Sequence, residues 1–303
     1  MKERALVLLR LIVFPVWLLA GLTVHSLPAQ DSGVSGRILD SSRAAVGRAK
    51  VTLTRVDTGE RRQTISNKEG YYAFPLLLPG KYQLRVEKEG FAIETETGIS
   101  VETASISTVE IKLSVGSLSQ SISVTANQSP LQVGSSAIAH VVENQAIEGL
   151  PLIDRRSEQL IRLNGFVVEN GAGSSTTFAV AGGRGNNANY YVDGGNAQNM
   201  SLGVPQLVFD PPVEAMQEFN IALSDYSAEL GRSGGSVTQI TTRSGSNRFH
   251  GSVYEYFRND VLDTRTFFSP TNPTLRYNLF GGSFGGPIRK DKTQFFFNYE
   301  GRR

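Results

Sequence analysis

Between Gly33 and Val115 the chain alternates apolar and polar residues with a period of two, and this excludes a helical body for that segment. Val51 and Leu53 alternate with Thr52 and Thr54, and Tyr82, Leu84 and Val86 alternate with Gln83, Arg85 and Glu87. Val109, Ile111, Leu113 and Val115 alternate with Thr108, Glu110, Lys112 and Ser114. Side chains two residues apart share one face of a strand, so each run is half buried and half wetted. Turn signals separate the runs: Asp57-Thr58-Gly59, Asn67-Lys68-Glu69-Gly70, Pro79-Gly80 and Glu89-Gly90. Short strands at this spacing predict an all-β sandwich. The chain has no cysteine. Disulfide scaffolds, Cys-ligated zinc, iron–sulfur clusters and thiol catalysis are therefore excluded, and packing and sheet closure must hold the fold.

The residues Gly36, Asp40, Ala49-Lys50-Val51, Thr64, Asn67, Gly70-Tyr71-Tyr72-Ala73-Phe74, Leu78-Pro79-Gly80, Tyr82, Leu84, Val86, Gly90 and Phe91 carry a resemblance. With this spacing, residues 31–115 resemble a carboxypeptidase-regulatory-like domain, a prealbumin-like β-sandwich. The resemblance implies an appendage that binds a partner or carbohydrate, or that acts as a spacer. It implies no peptidase activity.

The N-terminus reads as an address. Lys2 and Arg4 precede the uncharged stretch Leu11–Val24, and Leu27-Pro28-Ala29-Gln30 follows. This is the pattern of a signal peptide, residues 1–29, cleaved after Ala29. The apolar stretch would reach about 21 Å as a helix, short of the ~30 Å hydrocarbon core. The formal charge of +2, with no run of like charges, argues against a nucleic-acid partner.

Residues 116–130, GSLSQSISVTANQSP, read as a linker. Within it, Ser121, Ile122, Ser123, Val124, Thr125 and Ala126 form an extended stretch suited to adding as a strand to a partner's sheet edge. The stretch resembles a TonB box, the segment by which outer-membrane transporters contact an inner-membrane energy transducer.

Residues 131–245 change character. Val141–Leu163 predicts a helix, and Tyr190–Val192 predicts a strand ending in the Asp193-Gly194 turn. Pro212–Ile221 predicts a short helix running into a strand, and Val237–Thr242 a further strand. Gly183–Ala188 formally fits a dinucleotide-binding fingerprint, but no strand–loop–helix unit surrounds it and that reading is rejected. In order and spacing the segment resembles the plug of TonB-dependent receptors. The matching residues include Arg184, Gly185, Asp193, Gly194, Glu214, Glu218, Gly234 and Gly235.

Residues 246–303 hold nine of the 16 phenylalanines of the chain. Aromatic girdles mark barrel strands at lipid interfaces. Phe249–Arg258 has the length of a tilted transmembrane strand, about 9–11 residues. Phe295, Phe297 and Tyr299 form a face that suits lipid, and Gln294, Phe296, Asn298 and Glu300 form one that suits a polar lumen. With Phe280-Gly281, Gly285-Gly286-Pro287-Ile288 and Phe295–Gly301, these strands resemble the barrel start of Oar-like receptors. Three strands cannot close a barrel of about 22, so the sequence is expected to be part of a longer protein or a truncated product.

No nucleophile elbow accompanies His140 or His250, and both read as structural. No catalytic, cofactor or metal residues are assigned. The expected architecture is mainly β: a prealbumin-like sandwich, an α/β plug and the first strands of an incomplete transmembrane β-barrel. The resemblance implies a plug-gated outer-membrane receptor, its N-terminal domain in the periplasm. Its partners would be a TonB-type energy transducer, outer-membrane lipid and an unidentified ligand, whether siderophore, oligosaccharide, peptide or protein. The alternative is a secreted or surface adhesion module that binds carbohydrate or protein.

Overall fold

The computed structural model describes residues 32–116, 121–125, 138–169, 178–183, 188–199, 206–207, 209–224, 226, 230, 234–265, 267–272 and 274–303. The expected signal peptide, residues 1–29, and the motif residues Ala126, Arg184 and Gly185 lie outside the described residues.

The first domain is built from β1 (Gly33–Asp40), β2 (Lys50–Arg55), β3 (Arg61–Ile65), β4 (Tyr71–Phe74), β5 (Gly80–Glu87), β6 (Ile93–Val101), β7 (Ile106–Thr108) and β8 (Ile111–Leu113). A further strand, β9 (Ser121–Thr125), follows. One sheet has the order β3-β2-β5-β6-β9. The other runs β4-β1-β7, with β8 also paired to β1. The two-residue period appears directly as burial. Val51 pairs with Val86 and Leu53 with Leu84 across β2 and β5, and all four are buried. They pack with Ile38, Ile111 and Leu113 of the other sheet in one core cluster. Each such side chain contributes about 1.5–3 kcal/mol by leaving water. Tyr72 is buried and its hydroxyl donates to the Val109 carbonyl at 2.8 Å, which ties β4 to the segment between β7 and β8. Burial pushes its phenol up.

The second domain contains β10 (Ile138–Glu143), helix α1 (Asn144–Gly149), a 3₁₀ turn at Ser157–Leu163 and the hairpin β11 (Val167–Glu169) with β12 (Phe178–Val180). Strands β13 (Ala188–Val192) and β14 (Gly195–Asn196) and the small pair β15 (Gln198–Asn199) and β16 (Gln206–Leu207) follow. A 3₁₀ turn at Val213–Ala215 then leads into β17 (Met216–Ser224), and β18 (Ser236–Thr242) completes the sheet β10-β17-β18-β13-β14. Strand β13 runs parallel to β18, and the other pairs are antiparallel. Phe219, Met216, Tyr190 and Ile240 pack against Ile147, Leu160 and Ile161 from the helical turns.

The helix expected within Val141–Leu163 is α1, and it ends before Pro151. Pro151 biases Leu150 to the extended conformation, observed at φ −77°, ψ 136°, so α1 cannot continue.

The last segment is an antiparallel meander of β19 (His250–Asn259), β20 (Arg276–Arg289) and β21 (Thr293–Arg302). Its two faces differ as expected. Val253, Phe257, Phe280, Phe284, Phe297 and Tyr299 are exposed on one face. The rings of Phe249 and Phe284 stack there at 5.9 Å. Tyr254, Tyr256, Arg258, Asn298 and Glu300 alternate with these along the strands, and several of them reach the second domain. A Cβ at Gly281 would lie 2.6 Å from the Tyr254 ring, so the glycine is what lets that ring lie across β20.

Candidate functional site

Three seams carry motif residues or their partners. The first involves the TonB-box candidate. The linker reading left Ser121–Thr125 unattached. Instead it lies parallel to β6, with Ile93 opposite Ser121 and Thr97 opposite Thr125. The segment therefore does add to a sheet edge, but the edge belongs to its own chain.

The second seam is a pin. The loop after β6 inserts Thr103, which is fully buried, against the second domain's sheet. Its backbone N–H and hydroxyl both donate to Glu218 Oε2, at 2.8 and 2.7 Å. Asn220 donates to the Thr103 carbonyl at 3.1 Å, and the Thr103 and Thr241 hydroxyls meet at 3.0 Å. Burial dominates the Glu218 carboxyl and pushes it up to about 7, against the two Thr103 bonds that favour its charge.

The third seam joins the second domain to the polar face of the meander. Glu214 sits in the 3₁₀ turn before β17 and is buried. Arg155 donates to it at 2.6 Å, and Tyr256 of β19 donates to it at 3.2 Å. The Arg155 guanidinium lies 4.0 Å over the Tyr256 ring. Arg155 holds φ 44°, a left-handed conformation uncommon for a side chain of this size, and the packing around the pair over-determines it. At the periphery Arg258 of β19 donates to Asp154 at 3.2 Å, and the Tyr277 hydroxyl donates to the Asp154 carbonyl at 3.1 Å.

Asp193 and Gly194 form the β13–β14 turn with φ 47° and 76°, as the Asp-Gly pair implies. Asp193 does more than turn the chain. Its carboxylate accepts from the Thr242 N–H at 2.8 Å and the Thr242 hydroxyl at 2.7 Å, and so fixes the end of β18 where the chain leaves for the meander. Gly234 and Gly235 stand just before β18. Glu214, Glu218 and Asp193 thus serve three separate contacts and do not converge on one pocket. Thr103 and Arg155, which complete two of them, carry no local motif. The only available signals were a Glu-Thr-Ala turn between strands and an Arg-Arg pair after Pro151.

His140 pairs across to Ile221 on β10, and His250 Nδ1 lies 3.0 Å from the Arg248 carbonyl. Among the described residues no cluster of acidic and histidine side chains could hold a metal. The contacts tie the sandwich, the second domain and the meander to one another.

Residues 33–114 match the carboxypeptidase regulatory-like domain, and residues 241–303 match an outer membrane beta barrel domain. Two stretches of the chain thus match, in order, a carboxypeptidase-regulatory-like sandwich and an outer-membrane β-barrel domain. Over 285 residues the chain is similar, at 29% identity, to the TonB-dependent transporter Oar of Myxococcus xanthus, covering 88% of this chain and 26% of the relative. The chain therefore spans about a quarter, 26%, of the length of that curated relative. Among solved structures, the siderophore receptor PirA from Acinetobacter baumannii aligns over 54% of this chain and 24% of its own, at 20% identity and a TM-score of 0.41. PirA from Pseudomonas aeruginosa aligns over 54% and 26%, at 18% identity and a TM-score of 0.37. The barrel match assigns the meander to the outer membrane, and the adhesion-module alternative is not favoured.

Proposed function

We propose that this chain supplies the sandwich, plug and barrel strands of a TonB-dependent outer-membrane transporter. In this reading residues 131–245 are the plug, and it seats against the lumen face of the barrel. Residues 121–126 are the TonB box and pair with an energy transducer in the periplasm. The observation that carries the reading is the third seam. Polar side chains of β19 clasp a buried ion pair of the second domain, while the opposite face of the same strands exposes aromatic residues. A plug inside a membrane barrel requires that asymmetry.

Gating follows from the three contacts. A pull on residues 121–126 loads β6, the Thr103 pin transmits the load to β17 and β18, and the Arg155–Glu214–Tyr256 cluster is the contact that must yield for the plug to move. The sandwich rides with the plug because Thr103 is held by both strands. The cargo is an unidentified ligand captured outside the membrane.

The test is deletion of residues 121–126 in the gene that encodes them, with surface binding and energised uptake measured separately. Uptake should vanish while surface binding persists. Uptake that survives the deletion would refute the assignment of the TonB box.

A further inference from the structure

A cavity of about 760 Å³ opens where the sandwich, the exit from β18 and the β20–β21 turn meet. Arg55, at the end of β2, lines it and is only 7% exposed. Its Nη2 donates to the Pro79 carbonyl at 3.2 Å and to Ser244 Oγ at 3.4 Å. Its Nε has no partner. No carboxylate among the described residues pairs with it, so a buried cation stands without a counter-ion. A buried charge is costly unless it is paired. Gly80 lets the guanidinium pack close against the chain, since a Cβ there would lie 3.3 Å from Nε.

Two further cations line the cavity, Arg61 and Lys292, both exposed and both without a carboxylate partner. The two carboxylates of the lining are already engaged. Glu60 pairs with Arg62 at 3.1 Å, and Asp291 accepts from Asn247 Nδ2 at 2.8 Å. The walls are fixed by bonds between domains: the Asn247 N–H donates to the Asp57 carbonyl at 2.8 Å, and Gln294 Nε2 to the Thr58 carbonyl at 3.4 Å.

We propose that this junction is a binding site for a phosphate group, with Arg55 as the buried anchor and Arg61 and Lys292 at the mouth. A planar guanidinium whose charge no carboxylate among the described residues offsets suits an oxyanion better than it suits a neutral ligand. Lys292 sits on the turn where two barrel strands end, so the phosphate can come from a lipid headgroup or from a soluble phosphate. Occupancy would link the sandwich to the barrel turn through the ligand.

The test uses the full chain folded in neutral detergent, titrated with inorganic phosphate against a chloride background of matched ionic strength, with calorimetry as the readout. Saturable binding is expected. The double variant R61A/K292A alters only exposed side chains and should weaken it by about tenfold or more. R55Q should abolish it, with circular dichroism to confirm that the fold is retained. Vesicles of phosphatidylglycerol in phosphatidylcholine then compete with bound phosphate: displacement identifies a headgroup site, and its absence a soluble phosphate. No saturable phosphate binding, or equal binding by wild type and R61A/K292A, would overturn the proposal.

Discussion

Replacing Glu218 by Gln tests the pin between sandwich and second domain in quantitative terms. Glu218 is buried, and its folded carboxyl is raised from 4.5 to about 7. The cause is burial first, opposed by the two Thr103 bonds, with Glu102 and Glu143 adding smaller upward pushes. Between these two values the folded chain holds a proton that the unfolded chain has already lost. Stability contributed by the protonated group is complete below about pH 4.5 and falls as pH rises towards 7, at about 1.4 kcal/mol per pH unit. The full loss is about 3 kcal/mol. Gln keeps an oxygen that can accept from the Thr103 N–H and hydroxyl, but it does not ionise. The E218Q variant should therefore match wild type near pH 5 and exceed its stability by up to about 3 kcal/mol near pH 8. Urea denaturation followed by circular dichroism measures the difference at each pH. Glu94 and Glu96 are also raised by burial, so only the wild-type-minus-variant curve isolates Glu218. Amide exchange at Thr103, whose N–H bonds to this carboxylate, gives the local readout. A wild-type-minus-E218Q difference that stays flat between pH 5 and pH 8 would refute the reasoning.

Arg155→Ala leaves Glu214 buried without its cation and removes the stack on Tyr256, so it should cost about 3–5 kcal/mol in denaturation, with Arg155→Lys recovering part. Asp193→Ala loses two bonds to Thr242 and places alanine at φ 47°; an unfolding cost of about 1–3 kcal/mol is expected, and Asp193→Asn should retain the turn. Gly281→Ala drives a methyl into the Tyr299 carbonyl and the Tyr254 ring and should cost about 1–3 kcal/mol in barrel-strand stability. Truncating Tyr254 to Ala in that background should recover part of it, measured as a double-mutant cycle.

The strands of the sandwich and of the meander were legible because alternation is a local signal. A half-buried strand must write its two faces into neighbouring residues, as Val51-Thr52-Leu53-Thr54 and Gln294–Tyr299 do. The Asp193-Gly194 turn was legible for the same reason, since its backbone angles are set by two adjacent residues. What escaped is long-range and polar. Nothing in Ser121–Thr125 names β6 as its neighbour, because a parallel pair is joined by a crossover and not by a turn with its own chemistry. Thr103 and Glu218 are 115 residues apart, and each looks like an ordinary solvated residue until the other covers it. The expected helix is present as α1 but stops at Gly149, because the local effect of Pro151 outweighs the apolar spacing that continues to Leu160.

The strand β9 is held to β6 along five registered residue pairs, Ile93–Ser121 to Thr97–Thr125. Such an attachment has a mechanical direction. Tension along the strand axis loads its hydrogen bonds together in shear, whereas tension across the sheet peels them one pair at a time. The same bonds therefore make a stiff coupling in one direction and a tear-open seam in the other. For this chain, the angle at which the connector is drawn, and not the number of bonds that hold it, decides whether the sandwich follows or is left behind.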